Sequence, residues 1–151
     1  MNVLLGVTGS VASTLTLKLI ELLETTGSNV VVVATKPSLY FWDVDQADTP
    51  VLIEEDEWPG EKYDKNLPVK HIELRDWADL LVIAPLTANT LAKMANGLCD
   101  NLLTSIVRAW DLKKPIVAAP AMNTKMWEHP VTSQHITLIK SWYQLEIIDP
   151  M

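Results

Sequence analysis

Residues 3–10 read Val-Leu-Leu-Gly-Val-Thr-Gly-Ser, and this stretch gives the first indication of the fold class. Its first five residues form an uninterrupted apolar run, which is typical of a parallel strand buried on both faces. A turn follows at 8–10, and residues 11 to about 23 show a helical pattern that 27–29 interrupts. A second apolar run follows at 30–34, so the N-terminal part predicts a βαβ unit with a right-handed crossover.

The same alternation of apolar runs and helical patterns continues along the chain. Residues 37–70 show no regular pattern. They predict loops and a short helix, and they are also compatible with an edge strand. Further strands are predicted at 80–84, 116–119 and 145–148, a short element at 71–76, and helices at about 88–96, 101–110 and 130–142. The whole pattern predicts one α/β domain over residues 1–151. Its fold class is a single doubly wound, mainly parallel sheet with helices on both faces, Rossmann-like or flavodoxin-like.

Composition limits the class of protein. The chain has 151 residues, of which 48% are hydrophobic, and this suits one domain with a proper core. A net charge of -7 argues against nucleic-acid binding, and no apolar run approaches the roughly 20 residues that span a bilayer. The single cysteine, Cys99, and an N-terminus without a basic leader region predict a cytoplasmic protein. The acidic run at 54–57 is interpreted as a solvated loop.

Small and polar residues follow four of the predicted strands, at 6–10, 35–38, 85–90 and 120–126. Ligands of open parallel sheets bind at these carboxyl ends. The first loop is not GxGxxG, and Thr35-Lys36 stands where an NAD site has an acidic residue, so a mononucleotide with one phosphate is indicated. Judged alone, the loop at 6–10 is also consistent with an ordinary tight turn between a strand and a helix. The methionines and the tryptophan of the fourth loop are also consistent with side chains of the hydrophobic core.

Five motifs, taken together and in this order, resemble the flavin-dependent cysteine decarboxylases, and most of all the eukaryotic-type phosphopantothenoylcysteine decarboxylases. Pro120-Ala121-Met122-Asn123 with Met126 matches the PxMNxxMW signature of that family. The others are His-Ile-Glu-Leu-Arg at 71–75, Trp-Ala-Asp at 77–79, Ala-Pro-Leu-Thr-Ala-Asn-Thr-Leu at 84–91 and Gly-Leu-Cys-Asp-Asn-Leu-Leu-Thr at 97–104. The resemblance covers essentially the whole chain.

The resemblance implies a bound FMN whose phosphate and ribityl chain lie against the first two loops. His71 corresponds to the family's active-site histidine, Asn123 to the amide that holds the substrate carboxylate, and Met126 to a residue that shapes the same pocket. A homotrimer with FMN near the subunit interface is also implied. The FMN contacts implied in this way are Gly9, Ser10, Val11, Thr35, Lys36, Thr87, Ala88, Asn89, Thr90 and Ala121.

The activity implied by the resemblance is that of a carboxy-lyase. It would convert 4′-phosphopantothenoylcysteine to 4′-phosphopantetheine in coenzyme A biosynthesis. By the resemblance, a bound FMN would accept a hydride equivalent from the cysteine unit, and this oxidation would promote the loss of carbon dioxide. An imidazole suits proton handling near neutral pH, and an amide orients a carboxylate without ionising.

The family carries a further C-terminal flap, with a cysteine that protonates the enethiolate, and this chain ends at 149–151, about where the flap would start. Three explanations stay open: a truncated sequence, an oxidative peptidyl-cysteine decarboxylase that releases an enethiol, or a non-catalytic FMN-binding regulatory or trimer subunit. Cys99 does not align with the flap cysteine and is interpreted as a packing residue. His129 and His135 are interpreted as surface residues.

Overall fold

The computed structural model describes residues 1–150. Six strands form one sheet in the order β3-β2-β1-β4-β5-β6, and every neighbouring pair is parallel. The strands are β1 (Asn2–Val7), β2 (Asn29–Ala34), β3 (Val51–Leu52), β4 (Leu80–Leu86), β5 (Ile116–Pro120) and β6 (Leu145–Ile147). This is the doubly wound order of Rossmann-type sheets, so the predicted fold class is confirmed.

Helices connect the strands at nearly the predicted places. The α-helices are α1 (Thr16–Thr25), α2 (Lys70–Trp77), α3 (Ala88–Ala95), α4 (Leu102–Arg108), α5 (Thr124–Glu128) and α6 (Pro130–Trp142). The predicted helix at 11–23 begins instead with a 3₁₀ turn over Val11–Leu15, whose first turn the Ser10 side chain caps. The sequence did not predict α5, because five residues are too few to show an apolar period. No helix within residues 1–150 is long and apolar enough to cross a bilayer.

Successive residues of the strands point to opposite faces of the sheet and so belong to two separate apolar clusters. On one face, Leu81 and Ile83 of β4 pack with residues of α2, α3, α4 and α6. On the other face, Leu5 and Val7 of β1 pack with Ile20 of α1. Helices cover both faces, as predicted, but unevenly, since within residues 1–150 α1 is the only α-helix that joins the second cluster.

The uneven cover leaves part of the second face open. Ala84 of β4 and Ala119 of β5 are only partly buried, whereas Ile83 and Ala118 beside them are fully buried against the helices of the first face. A groove of about 390 Å³ runs between this strip and α1. We call it the open groove; its main lining residues are Leu15, Leu19, Leu22, Ala84, Pro85, Ala119, Pro120 and Ala121.

Candidate functional site

The carboxyl ends of β1 and β4 meet at the centre of the sheet, where the strand order reverses. β2 and β3 continue on the far side of β1, and β5 and β6 continue on the far side of β4. The helices that follow β1 and β4 pack on opposite faces of the sheet, so their first turns diverge and open a crevice. Ligands of open α/β sheets bind at this point, and the loops after β1 and β4 line it here.

Thr8 ties these two central loops together. Its hydroxyl donates to the backbone carbonyl of Pro85 at 2.5 Å and accepts from the backbone N–H of Thr87 at 3.0 Å. The residue is only 1% exposed, and the Ser13 hydroxyl donates to its carbonyl at 2.5 Å. The loop after β1 is thereby fixed against the loop after β4 before any ligand binds.

We expect Thr8→Val to lower the free energy of unfolding by about 1–3 kcal/mol, measured by urea denaturation. The substitution keeps the side-chain shape but leaves the Thr87 N–H without its acceptor. Thr16→Val is the matched control, because Thr16 is similarly buried at 2% and its hydroxyl bonds only to Ser13 within the same helical turn. Equal losses in the two variants would contradict the bridging role of Thr8.

A small cavity of about 120 Å³ lies among the loops that follow β1, β2 and β4, and we call it the polar cavity. Pockets that enclose a whole ligand measure about 300–1,000 Å³, so this one suits a phosphate-sized group rather than an entire nucleotide. Five of the ten FMN contacts implied by the resemblance line it: Gly9, Thr35, Thr87, Asn89 and Thr90. The remaining lining residues are Pro37, Lys93 and Asn101.

Gly9 makes the closest approach between the first two loops. A Cβ at this position would lie 2.6 Å from the Cβ of Pro37 and 3.1 Å from its backbone carbonyl carbon. No side chain fits there unless the loop after β2 moves. The shape of the polar cavity therefore depends on the missing side chain of Gly9.

Other residues implied as FMN contacts lie outside the polar cavity. Val11 is 72% exposed, Lys36 is exposed on the 3₁₀ turn Lys36–Tyr40, and the Ser10 hydroxyl accepts from the N–H of Ala12 at 3.2 Å. Ala121 lines the open groove. The cation that does line the polar cavity is Lys93, whose Nζ already contacts the Asp100 carboxylate at 3.0 and 3.1 Å.

A pocket of about 400 Å³ lies beside the starts of α5 and α6, and we call it the Asn123 pocket. Asn123 and Met126 both line this pocket. The Oδ1 atom of Asn123 accepts from the N–H of Met126 at 3.0 Å and so caps α5. This bond leaves the side-chain NH₂ to donate to a ligand. The other lining residues are Ala88, Lys125, His129, Val131 and Thr132.

His129 is a residue of this pocket that sequence reasoning missed. It is exposed, as predicted, and its Nδ1 accepts from the N–H of Val131 at 3.1 Å, which caps α6. A polar residue directly before Pro130 is a signal for a helix start. That signal predicts the cap, but it does not predict a position beside Asn123.

His71 stands apart from both cavities, near the start of α2, and lines neither. Its Nδ1 is buried and has no hydrogen-bond partner within residues 1–150, and Oε1 of Glu57 lies 3.9 Å away. Trp58 meets its ring edge-on, with 6.3 Å between the ring centroids. Burial, and after it the positive charge of Arg75, lower the pKa of His71 below the usual 6.5. Neutral imidazole is therefore favoured at neutral pH.

Two interpretations from the sequence prove wrong. The acidic run at 54–57 is not a solvated loop, because Glu57 is only 5% exposed and Oε1 of Glu54 accepts from the N–H of Leu102 at 3.2 Å. Burial, followed by the hydrogen bond and charge of Glu54, raises the pKa of Glu57, and the Ser105 hydroxyl acts against this. Cys99 is not a packing residue; its side chain is exposed and free.

Comparison with known proteins identifies close relatives. The model of a family described as Flavoprotein matches residues 1–151. Phosphopantothenoylcysteine decarboxylase of Mus musculus is 49% identical over 147 residues, which cover 97% of this chain and 72% of that protein. A variant PPC decarboxylase complexed with pantothenoylaminoethenethiol has a TM-score of 0.91 at 47% identity, covering 99% of this chain and 82% of that one. The FMN binding protein AtHal3 has a TM-score of 0.90 at 47% identity, covering 99% and 80%. These matches confirm the resemblance drawn from the motifs.

Proposed function

The chain belongs to the flavoprotein family, and we propose that it binds FMN and decarboxylates 4′-phosphopantothenoylcysteine to 4′-phosphopantetheine. It would thus act as a carboxy-lyase of coenzyme A biosynthesis. One observation carries the proposal: the polar cavity and the Asn123 pocket are adjacent, since Thr87 lines the first and the next residue, Ala88, lines the second. A cofactor anchored in the polar cavity therefore lies beside the pocket that would hold the substrate carboxylate.

The residues of the polar cavity fit the phosphate end of FMN. The missing Cβ of Gly9 leaves the space, and three residues that carry hydroxyl groups, Thr35, Thr87 and Thr90, line it. We propose that Asn89 also contacts the cofactor here. When bound, FMN supplies a two-electron acceptor, which the side chains of the chain lack. Further proposed contacts are Ser10, Val11, Lys36, Ala88 and Ala121.

Asn123 is the residue that we propose to orient the substrate. Its amide N–H groups can donate to a carboxylate, and its Oδ1 is held by the N–H of Met126 at 3.0 Å, so the side chain has a fixed direction. An amide does not ionise, so it cannot repel the carboxylate that must leave as carbon dioxide. Met126 is 44% exposed and supplies an apolar wall of the same pocket.

His71 is the residue that we propose to exchange a proton with the substrate. Its lowered pKa keeps the imidazole neutral at neutral pH, and a neutral imidazole can accept a proton and return it. Because His71 lines neither cavity of its own chain, a complete site requires either a movement of α2 or a second copy of the chain.

The function is tested by mixing the purified protein with FMN and 4′-phosphopantothenoylcysteine and following carbon dioxide and product mass. We expect carbon dioxide and 4′-phosphopantetheine. An enethiol product would instead indicate the oxidative half-reaction, and bound FMN without turnover would indicate a non-catalytic subunit. A protein that takes up no FMN would contradict the proposal. The substrate analogue with serine in place of cysteine is the control, since it has no thiol to oxidise.

We further propose a homotrimer with FMN near the subunit interface. The open groove supports this assembly, because exposed apolar side chains such as Leu15, at 66%, and Leu22, at 52%, line it. Apolar patches of this kind mark protein interfaces. Ala121, a proposed FMN contact, lines the same groove, so a second copy that covers the groove would also approach the cofactor.

We expect Ala119→Arg to convert the trimer to monomers, measured by sedimentation equilibrium. The side chain would place a charge in the open groove, where a partner would have to desolvate it without a counter-charge. Thr137→Arg is the matched control, because residue 137 is exposed on α6, away from the groove. A trimer that persists in the Ala119 variant would show that the groove is not the interface.

We also propose a cytoplasmic location. The one cysteine of the chain, Cys99, is a free and exposed thiol, and thiols of this kind persist in reducing compartments. Microscopy of a fluorescently tagged full-length protein tests this proposal, and accumulation in an oxidising compartment would contradict it.

A further inference from the structure

We propose that Glu57 is a positioning residue for His71. Its carboxyl group accepts the Nδ1–H bond of the imidazole, which leaves Nε2 as the atom that accepts a proton from the substrate. The proposal rests on the proposed function for the role of His71, but the contact itself stands on the structure. Glu57 lies in the acidic run at 54–57 and outside both cavities.

The carboxyl group of Glu57 is the acceptor nearest to Nδ1 of His71 among the contacts within residues 1–150. Nδ1 is buried and has no hydrogen-bond partner within residues 1–150, and the Glu57 Oε1 atom faces it at 3.9 Å. The side chain of Glu57 is 6% exposed and that of His71 22%, so water does not readily replace the contact. A separation of 3.9 Å exceeds a hydrogen bond, but bonds of catalytic groups often tighten only when the ligand is bound. Leaving a buried N–H unpaired costs about 1–3 kcal/mol, and this cost favours a closer approach of Nδ1 to the Glu57 Oε1 atom.

Two residues act on the carboxyl group of Glu57. Glu54 raises its pKa and Ser105 lowers it. Glu54 in turn accepts from the N–H of Leu102 at 3.2 Å. The residue before Leu102 is Asn101, which lines the polar cavity. Glu54, three residues before Glu57, therefore ties the acidic run to the start of α4, beside the proposed cofactor site.

The charges around the pair favour a neutral imidazole over an ion pair. An ionised Glu57 at 3.9 Å would raise the pKa of His71, yet burial and the nearby charge of Arg75 together leave that pKa lowered. Burial and Glu54 raise the pKa of Glu57, so this carboxyl also holds its proton more readily than an exposed one. A neutral imidazole carries one N–H donor and one acceptor nitrogen. With the donor directed at Glu57, the acceptor is Nε2.

The tautomer of His71 tests the proposal directly. Long-range ¹H–¹⁵N spectra of the FMN-loaded protein distinguish Nδ1–H from Nε2–H, and His129 and His135 serve as internal references. In the wild-type protein we expect the Nδ1–H form of His71 to dominate at pH 7.5. Glu57→Leu removes the acceptor and should shift the population toward Nε2–H. Glu57→Gln retains a carbonyl oxygen that can accept from Nδ1–H, so it should preserve the wild-type tautomer.

Kinetics provide the second readout. We expect Glu57→Leu to lower kcat about 10- to 100-fold, with KM and FMN affinity nearly unchanged. This is less than the 10²–10⁴-fold that a proton-transfer group itself supplies, because the imidazole remains and loses only its preferred tautomer. Glu57→Gln should recover most of kcat. A dominant Nε2–H form in the wild-type protein would overturn the proposal, even if Glu57→Leu failed to fold. A wild-type protein with the Nδ1–H form but without decarboxylation would instead contradict the proposed function alone.

Discussion

Asn123→Asp is expected to lower kcat/KM for 4′-phosphopantothenoylcysteine by about 10³-fold. The added carboxylate would face the substrate carboxylate in the Asn123 pocket. Two like charges about 4 Å apart at an effective dielectric constant of about 20 repel each other by about 4 kcal/mol, which corresponds to about 10³-fold. Steady-state release of carbon dioxide measures the loss. The substitution keeps an oxygen that can accept from the N–H of Met126, so the cap of α5 survives.

Asn123→Ser is the matched variant for this prediction. Serine also caps helices, so α5 should remain, but the amide NH₂ is lost and no charge is added. We expect a smaller loss of about 10- to 100-fold, consistent with about 1.5–3 kcal/mol for one hydrogen bond to a charged group. FMN affinity should stay near the wild-type value in both variants, because Asn123 does not line the polar cavity. Similar kcat/KM values for aspartate and serine would rule out a substrate carboxylate in this pocket.

The second large effect is expected from Gly9→Ala, which should weaken FMN binding by about 100-fold. A Cβ at residue 9 would approach the Cβ of Pro37 to 2.6 Å, so the loop after β2 must move away from the loop after β1. Overpacking of this kind costs about 1–3 kcal/mol, and the displaced loop carries Thr35, which lines the polar cavity. Quenching of flavin fluorescence during titration measures the dissociation constant.

Gly27→Ala is the control for Gly9→Ala. Gly27 has a φ of +86°, so alanine is strained there as well, but no atom lies within 4 Å of its Cβ position. It follows α1 and lies outside the described cavities. We expect this variant to lose stability without losing affinity for FMN. An unchanged dissociation constant in Gly9→Ala would show that the polar cavity does not hold the phosphate.

Much of the fold could be predicted because its signals are local. The apolar run at 3–7 and its successors predicted the strands to within a residue or two, since strands buried on both faces carry no polar alternation. Gly97, with a φ of +71°, ends the turn after α3 as predicted. The short helix α5 was missed, because it is fixed by one cap at Asn123 and not by a repeating pattern.

The amino-acid pattern alone shows which loops follow the carboxyl ends of the strands and, through the motifs, to which family the chain belongs. How those loops meet is seen only in the folded chain. Thr35 and Thr90 share one cavity, and His129 joins Asn123. Glu57 is buried against His71 rather than solvated. The physical reason is that periodicity reports each segment's own conformation, whereas burial of a carboxyl group and closure of a cavity depend on packing between segments far apart in the chain.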